Sequence, residues 1–235
     1  MPKIHVCLTP ALISLFDLSD KRVVVTDVLR ATSAMVTGLA HGVACIRPVS
    51  TADEAKRWEE LGYLGAAERD GKVVDGFTFG NSPFAYMGEE VQGKKIALTT
   101  TNGTKAIHLS EGALEIYAAG FVNLQAMVMH CSKFESDVLV HCAGWKDQFN
   151  IEDTLFAGAM VFHLEQHGFR CADDAGMAAK MLYEQTRNDL FGFLKNSSHY
   201  HRLSRLGIEK DIEYCLKENA VDVVGVLRNG ELVKA

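Results

Sequence analysis

Short apolar runs alternate along the chain with longer segments that have helical character. The runs predict strands over residues 22–26, 44–49, 95–98, 115–118 and 137–142. Helices are predicted over residues 31–41, 51–62, from about residue 104, 122–134 and 152–167, and residues 173–217 are expected to be mostly helical. The tail predicts a hairpin of residues 222–227 and 231–233 around Asn229-Gly230.

This alternation of buried strands with helices predicts an α/β fold. We expect a three-layer α/β/α arrangement with a parallel or mixed sheet and a helical C-terminal portion. The chain is interpreted as a single domain over residues 1–235, with two closely packed subdomains as the alternative. Thr51, followed by Glu54, has the spacing of a capping box at a helix start. Residues 62–82 are rich in glycine and polar side chains and are expected to form a long, functional loop.

Composition restricts the class of partner. The 235 residues are 48% hydrophobic and 23% charged, which is typical of a folded protein with a sizeable core. The net charge of -6 and the absence of a Lys/Arg cluster argue against nucleic acid as a partner. The apolar run 12–16 is too short to span a membrane, and the six cysteines lack CxxC spacing. We therefore predict a cytoplasmic protein without a membrane partner, and a homo-oligomer stays open.

Three segments stand at the same place in the predicted fold, just after a strand and just before a helix. They are Asp27–Ser33, Thr99–Thr104 and Cys142–Trp145, the last leading on to Glu152-Asp153. Ligands of open α/β sheets bind outside the carboxyl ends of the strands. If these strands are parallel neighbours, the three loops converge on one crevice.

The residue types at these loops suit metal-assisted phosphate chemistry. The candidate hard oxygen ligands are Asp27, Glu68, Glu152 and Asp153. Arg30 and Arg69 offer planar guanidinium groups that match a phosphate, sulfonate or carboxylate. The candidate neutral or backbone donors are Thr32, Ser33, Asn81, Ser82, Thr100, Thr101, Asn102, Gly103 and Thr104.

Each of these residues also has a purely structural interpretation. Asp27 could cap a helix, and the acids at 152 and 153 could complement a helix dipole. Arg30 could be a surface ion-pair partner, and residues 68–70 could form a solvated charge run.

Five blocks together resemble the 2-phosphosulfolactate phosphatase family. They are Asp27-Val28-Leu29-Arg30-Ala31-Thr32-Ser33, Glu68-Arg69-Asp70-Gly71, Gly76-Phe77-Thr78-Phe79-Gly80-Asn81-Ser82-Pro83, Thr100-Thr101-Asn102-Gly103-Thr104 and Ala143-Gly144-Trp145 with Glu152-Asp153 and Ala157-Gly158. Two positions depart from the family pattern: Ala67 stands where the family has glycine, and Thr78 where it has aspartate.

The resemblance implies a Mg²⁺-dependent phosphatase that hydrolyses (2R)-phospho-3-sulfolactate, a step that leads to coenzyme M in methanogens. Asp27, Glu68 and Asp153 would bind the metal or activate water, with Arg30 completing the catalytic set. Arg30 and the Thr100–Thr104 loop would bind oxyanions, and Arg69 a second anionic group. Whether Asp27 is a metal ligand or the nucleophile stays open.

Two other functions are kept beside this one. The first is a phosphatase for another small phosphorylated acid, such as a phospholactate or phosphoglycolate analogue. The second is an anion-binding module without catalysis, for which carboxylates in the pocket would bring little benefit.

Overall fold

One mixed sheet of eleven strands runs through the computed structural model, which describes residues 1–235. The strands are β1 (Lys3–Cys7), β2 (Lys21–Thr26), β3 (Cys45–Pro48), β4 (Leu64–Arg69), β5 (Lys72–Val73), β6 (Lys95–Thr99), β7 (Glu115–Ala119), β8 (Asp137–Cys142), β9 (Arg170–Cys171), β10 (Gly225–Arg228) and β11 (Glu231–Lys234). Their order is β5-β4-β6-β3-β11-β10-β7-β2-β8-β1-β9.

The sheet consists of two parallel halves that run in opposite directions. Strands β4, β6 and β3 are parallel to one another, and so are β7, β2, β8, β1 and β9. The antiparallel hairpin β10–β11 lies between them and pairs antiparallel with both β7 and β3. The hairpin turn at Asn229-Gly230 has positive φ at both residues, which is the geometry of a type I′ turn.

Helices cover both faces of this sheet. They are α1 (Ala31–Ala40), α2 (Ala52–Glu59), α3 (Gly103–Leu109), α4 (Leu124–Cys131), α5 (Ile151–Glu165), α6 (Asp174–Thr186), α7 (Leu190–Leu194), α8 (Ser198–Ser204) and α9 (Glu209–Cys215). Helices α1 and α3 share a core with residues from both halves of the sheet, including Val25 and Leu98. Helices α4 to α9 pack on the other face of the β7–β1 half.

Strand β2 shows how the sequence builds these layers. Successive side chains of a strand point to opposite faces of the sheet. Val23 and Val25 accordingly enter the core with α1, whereas Val24 enters the core on the opposite face. All three are fully buried, so β2 needs an uninterrupted β-branched run and cannot alternate with polar residues.

The predicted α/β class and its main elements are confirmed. The strand predicted at 137–142 agrees with β8 at both ends, and the tail forms the expected hairpin. Thr51 caps α2 by accepting a bond from Glu54 N at 3.1 Å, and the Glu54 carboxylate returns to Ser50 N at 3.0 Å.

The prediction of a long loop over residues 62–82 is wrong in its first part. Strand β4 lies there and pairs parallel with β6, and β5 follows it. The small residues Gly65, Ala66 and Ala67 form the buried centre of β4, and they lack the β-branched signal of a strand. Strands β1 and β9 are also part of the sheet, although the sequence pattern does not predict them. No helix in the structure combines the length and the apolar character that a membrane crossing requires.

Candidate active site

The three predicted loops do meet, although not because their strands are parallel neighbours. β2 and β8 are adjacent, but β6 belongs to the half that runs the other way. The ends of β2 and β6 nevertheless meet, because Gly103 at the start of α3 packs against Asp27 and Ala31. Asn102 Oδ1 accepts a bond from Lys146 N at 2.9 Å, which joins the loop after β6 to the loop after β8.

Asp153 ties the loop after β2 to the loop after β8. Its Oδ1 accepts from Val28 N and its Oδ2 from Gly144 N, each at 2.9 Å. Burial raises the pKa of Asp153 well above its ordinary range, with help from the charges of Glu152 and Asp27, and the two N–H bonds oppose that rise. Both oxygens of this predicted catalytic residue are thus engaged by backbone groups.

Asp27 follows β2 and opens the turn into α1. Its backbone N donates to Thr32 Oγ1 at 2.9 Å, and its carbonyl accepts from Thr32 N at 3.1 Å. Only 8% of Asp27 is exposed. Burial raises its pKa to about 6; the nearby His199 opposes the rise, and the Glu68 charge adds to it. Asp27 is therefore a carboxylate that burial has made costly to ionise, which is typical of functional sites.

Glu68 stands near the end of β4, where the strand turns into β5. Its Oε1 accepts from Gly71 N at 2.5 Å and its Oε2 from Thr101 N at 3.4 Å. The turn uses positive φ at Asp70 and Gly71, which directs Gly71 N back toward the carboxylate. This side chain is also buried, as are Asp27, Glu152 and Asp153, so all four carboxylates of the predicted metal set lie in the interior.

Arg30 is a buried ion-pair partner in this structure. Its Nη1 donates to Asp211 in α9, and its Nη2 donates to the Gly71 carbonyl at 2.8 Å. Asp211 also accepts a bond from Ser82 Oγ at 3.1 Å. The positive charge of Arg30 is therefore offset by Asp211, a carboxylate outside the predicted site.

A single cleft of about 80 Å³ collects the central residues. Its walls are Asp27, Leu29, Arg30, Glu68, Asp70, Gly71, Asn81, Thr101, Asn102, Trp145, His199, Arg202, Leu203 and Leu206. Six of these belong to the predicted site: Asp27, Arg30, Glu68, Asn81, Thr101 and Asn102. Helix α8 and the residues after it close the opposite side.

Glu152 lies behind His199, outside the walls of this cleft. The Glu152 Oε1 is 2.5 Å from His199 Nδ1, and Asn150 Nδ2 approaches the same nitrogen at 3.3 Å. Glu152 Oε2 is buried without a hydrogen-bond partner. Glu152 and His199 also line a second cavity of about 230 Å³, so His199 forms part of the wall between the two.

Several other predicted residues face elsewhere. Thr32 Oγ1 bonds the Ala119 carbonyl at 2.7 Å, and Ser33 Oγ bonds the Val28 carbonyl at 2.9 Å, so both hydroxyls fix backbone. Arg69, Thr100 and Thr104 line a third cavity, of about 360 Å³, which also includes Lys105 and shares Thr101 with the cleft. Gly103 packs against Asp27 at the start of α3.

Four cleft or supporting residues were not assigned a role from the sequence. They are Trp145, His199, Arg202 and Asp211. Trp145 lies in one of the three predicted loops, whereas the other three lie within residues 173–217, for which the sequence predicts only helical character. No local motif marks them, because their function depends on α8 and α9 packing against strand ends far away in sequence.

The oxygen donors of the cleft fit Mg²⁺ in kind. Mg²⁺ in proteins is often held by one or two carboxylates together with waters and substrate oxygens. Asp27 and Glu68 provide two carboxylates in one cleft, and Glu152 Oε2 is a buried oxygen without a partner behind it. No group of three or more His, Cys, Asp or Glu side chains is arranged to hold a metal by itself. The donor set therefore suits a metal that also takes ligands from its substrate.

The fold and the cleft define an α/β protein with buried, charged side chains at strand ends, as in enzymes that act on small polar molecules. The family model described as 2-phosphosulpholactate phosphatase matches residues 7–230. The chain is 42% identical over 210 residues to a protein of Thermotoga petrophila, with 89% of this chain and 90% of that protein covered. It is 38% identical over 218 residues to a protein of Caldanaerobacter subterraneus, with 91% and 90% covered.

A third relative, from Clostridium acetobutylicum, is 37% identical over 221 residues, with 92% of this chain and 93% of the relative covered. All three are named probable 2-phosphosulfolactate phosphatase. The chain belongs to the 2-phosphosulpholactate phosphatase family, whose members are phosphoric monoester hydrolases.

Proposed function

We propose that this protein hydrolyses (2R)-phospho-3-sulfolactate to 3-sulfolactate and phosphate in a Mg²⁺-dependent reaction. The observation that carries the proposal is the pair of buried carboxylates, Asp27 and Glu68, in one small cleft of a family member. Burying a carboxylate costs free energy, so two in one cleft indicate a site kept for chemistry. Arg30 and Arg202 also line the cleft, and their guanidinium groups suit an anionic substrate.

Asp27 is the central residue of the proposal. Two contacts with Thr32 fix its backbone at the end of β2, and its Oδ1 accepts a bond from Ala31 N at 3.4 Å, so the carboxylate is preorganised. It would either bind the metal or attack phosphorus, and Glu68 would bind the metal or orient the attacking water. A bound Mg²⁺ would offset substrate charge and polarise the phosphoryl group.

Asp153 and Glu152 belong to the same proposal as outer members of the acidic set. Asp153 would place the Asp27 loop relative to the loop after β8, since its carboxylate bonds both. Glu152 would act on the cleft through His199, which its Oε1 contacts. If the His199 side chain moved aside on metal binding, the unpartnered Glu152 Oε2 would reach the metal directly.

The oxyanion-binding part of the proposal divides between two places. Arg30 has five guanidinium N–H groups, two of which donate to Asp211 and Gly71, so the others remain for substrate oxygens. Thr101 and Asn102 line the same cleft. The third cavity lies on the far side of Thr101 and is lined by Arg69, Thr100 and Thr104. These residues would therefore bind a second anionic group only if that group entered the third cavity.

The reaction can be tested by following phosphate release from synthetic phosphosulfolactate with Mg²⁺, and again with a chelator. Release that stops with the chelator and returns with Mg²⁺ supports the proposal. A panel containing 2-phospholactate and phosphoglycolate separates the proposed substrate from other small phosphorylated acids. Ligand-induced thermal stabilisation without phosphate release from any of them would favour a non-catalytic anion binder instead. A coenzyme M-type pathway and a cytoplasmic location remain predictions from the sequence.

A further inference from the structure

Arg202 is the guanidinium of the cleft that forms no salt bridge with a carboxylate. The salt bridges around the cleft join Arg30 to Asp211, Lys146 to Asp70 and His199 to Glu152, and none includes Arg202. Arg202 Nη1 reaches only Ser198 Oγ, at 3.5 Å, and its Nη2 is buried without any hydrogen-bond partner. A buried donor that lacks an acceptor is destabilising unless a ligand supplies one.

Trp145 holds this guanidinium in place. The Arg202 Cζ atom lies 4.1 Å from the centroid of the indole ring. Stacking of this kind fixes the plane of the guanidinium and leaves its edge N–H groups available for a planar, two-point contact. Both side chains line the cleft, one from α8 and the other from the loop after β8. Arg202 is thus positioned before any ligand binds.

Arg202 enters the cleft from α8, whereas Asp27 and Glu68 enter it from the ends of β2 and β4. A phosphoryl group bound between Asp27 and Glu68 would leave Arg202 facing another part of the substrate.

We propose that Arg202, stacked on Trp145, binds the acid group of the substrate that is not hydrolysed, a sulfonate or carboxylate, and so determines specificity. This inference rests on the proposed function for the identity of the substrate. Arg30 is less suited to bind this acid group, because its charge is already paired with Asp211. The two N–H groups of one guanidinium edge would contact two oxygens of the acid group.

Binding of 3-sulfolactate, measured by calorimetry in the presence of Mg²⁺, tests the inference without requiring turnover. Arg202→Gln is expected to weaken binding by at least about tenfold, because charged hydrogen bonds are lost. Arg202→Lys retains the charge but not the fork, and should fall between Arg202→Gln and the wild type. Arg205→Gln is the matched control: Arg205 is an exposed arginine three residues later and does not line the cleft.

Kinetics identify which acid group is bound. Arg202→Gln should raise KM for phosphosulfolactate by about tenfold or more, with a smaller change in kcat. The variant should not raise KM for a substrate that lacks the recognised group: 2-phospholactate if that group is the sulfonate, or O-phospho-2-hydroxyethanesulfonate if it is the carboxylate. Thermal unfolding of each variant shows whether it is folded, and Arg202→Lys provides the comparison if Arg202→Gln is not.

Equal 3-sulfolactate affinities for Arg202→Gln and Arg205→Gln would overturn the inference, and so would a wild-type protein that does not bind 3-sulfolactate. Wild-type protein that binds 3-sulfolactate through Arg202 but releases no phosphate from phosphosulfolactate would refute the proposed reaction and leave the binding role of Arg202 supported.

Discussion

Gly103 lies directly against the carboxyl group of Asp27. A methyl group built on Gly103 would sit 2.8 Å from Asp27 Oδ2 and 2.6 Å from the Cβ atom of Ala31. Both approaches are closer than van der Waals contact, and both neighbours are buried. The glycine of the loop after β6 is therefore required for the close approach of α3 to Asp27, and no unusual φ is involved.

Gly103→Ala should displace Asp27 and lower phosphatase activity. Overpacking of this size costs about 1–3 kcal/mol of stability, and a shift of the reacting group reduces rates further. We expect at least a roughly tenfold fall in kcat/KM with a folded protein, measured by phosphate release and circular dichroism. Full activity in Gly103→Ala would show that Asp27 does not need its present position.

Asp27→Asn should stabilise the metal-free protein at neutral pH. The folded-state pKa of Asp27 is raised to about 6 from an ordinary value of 3.8, so ionisation above that pH destabilises the folded state. The neutral amide avoids this cost, and we expect a gain of about 1–3 kcal/mol at pH 7 in chelator, measured by urea unfolding.

The same variant has a defined pH signature. Below about pH 3 Asp27 is protonated in both the folded and unfolded states, so the stability difference between wild type and Asp27→Asn should disappear there. Mg²⁺ should then stabilise the wild type more than the variant. A variant that is less stable than wild type at pH 7 would contradict the assignment of Asp27 as a desolvated carboxylate.

Asp153→Ala should be strongly destabilising because it leaves Val28 N and Gly144 N without their acceptors. Two unsatisfied buried donors cost about 2–4 kcal/mol in unfolding free energy. Asp153→Asn retains one acceptor oxygen and should lose less. Glu111→Ala, at an exposed acid, is the control and should leave the urea midpoint unchanged. Equal urea midpoints for Asp153→Ala and the control would show that this carboxylate does not stabilise the fold.

Burial of His141 should make the folded state less stable at acidic pH. It is fully buried in β8, its Nδ1 lies 2.9 Å from Ser110 Oγ, and burial lowers its pKa to about 4. The unfolded chain takes up a proton near pH 6.5 and the folded chain only near pH 4, so stability falls as pH drops through this range.

The contribution of His141 amounts to about 2 kcal/mol at pH 5. His141→Asn places a polar atom close to the position of the histidine Nδ1 but cannot titrate. Between pH 7 and pH 5, the wild type should therefore lose about 2 kcal/mol more unfolding free energy than the variant. Parallel pH profiles for the two proteins would exclude His141 as the titrating group.

The sequence predicted the strand ends better than the arrangement of the sheet. Asp27 and Glu152-Asp153 were found because hydrophilic residues follow apolar runs, and that pattern is local. The opposite direction of the β6 half could not be read from the pattern, because it depends on the hairpin β10–β11 inserting between the halves. Strand β4 was hidden by its alanine and glycine centre.

The site was predictable where it follows strands and unpredictable where it depends on helix packing. Asp27 lies in the cleft at the end of β2, where the apolar run predicts a strand, whereas Glu68 reaches the same cleft from β4, a strand that the sequence pattern does not predict. Arg30 was expected to contact substrate, but nothing near it in sequence indicated that Asp211, 181 positions away, would neutralise it. Arg202 was missed for the same reason, since only tertiary packing places it on Trp145.

The most direct test of the central claim is the rate of phosphate release from (2R)-phospho-3-sulfolactate in Mg²⁺, compared between wild type and Asp27→Asn. The account predicts turnover by the wild type and a loss of about a thousandfold or more in the variant, because a group that binds the metal or attacks phosphorus is removed. Undetectable release by the wild type, or equal rates for both proteins, would contradict it.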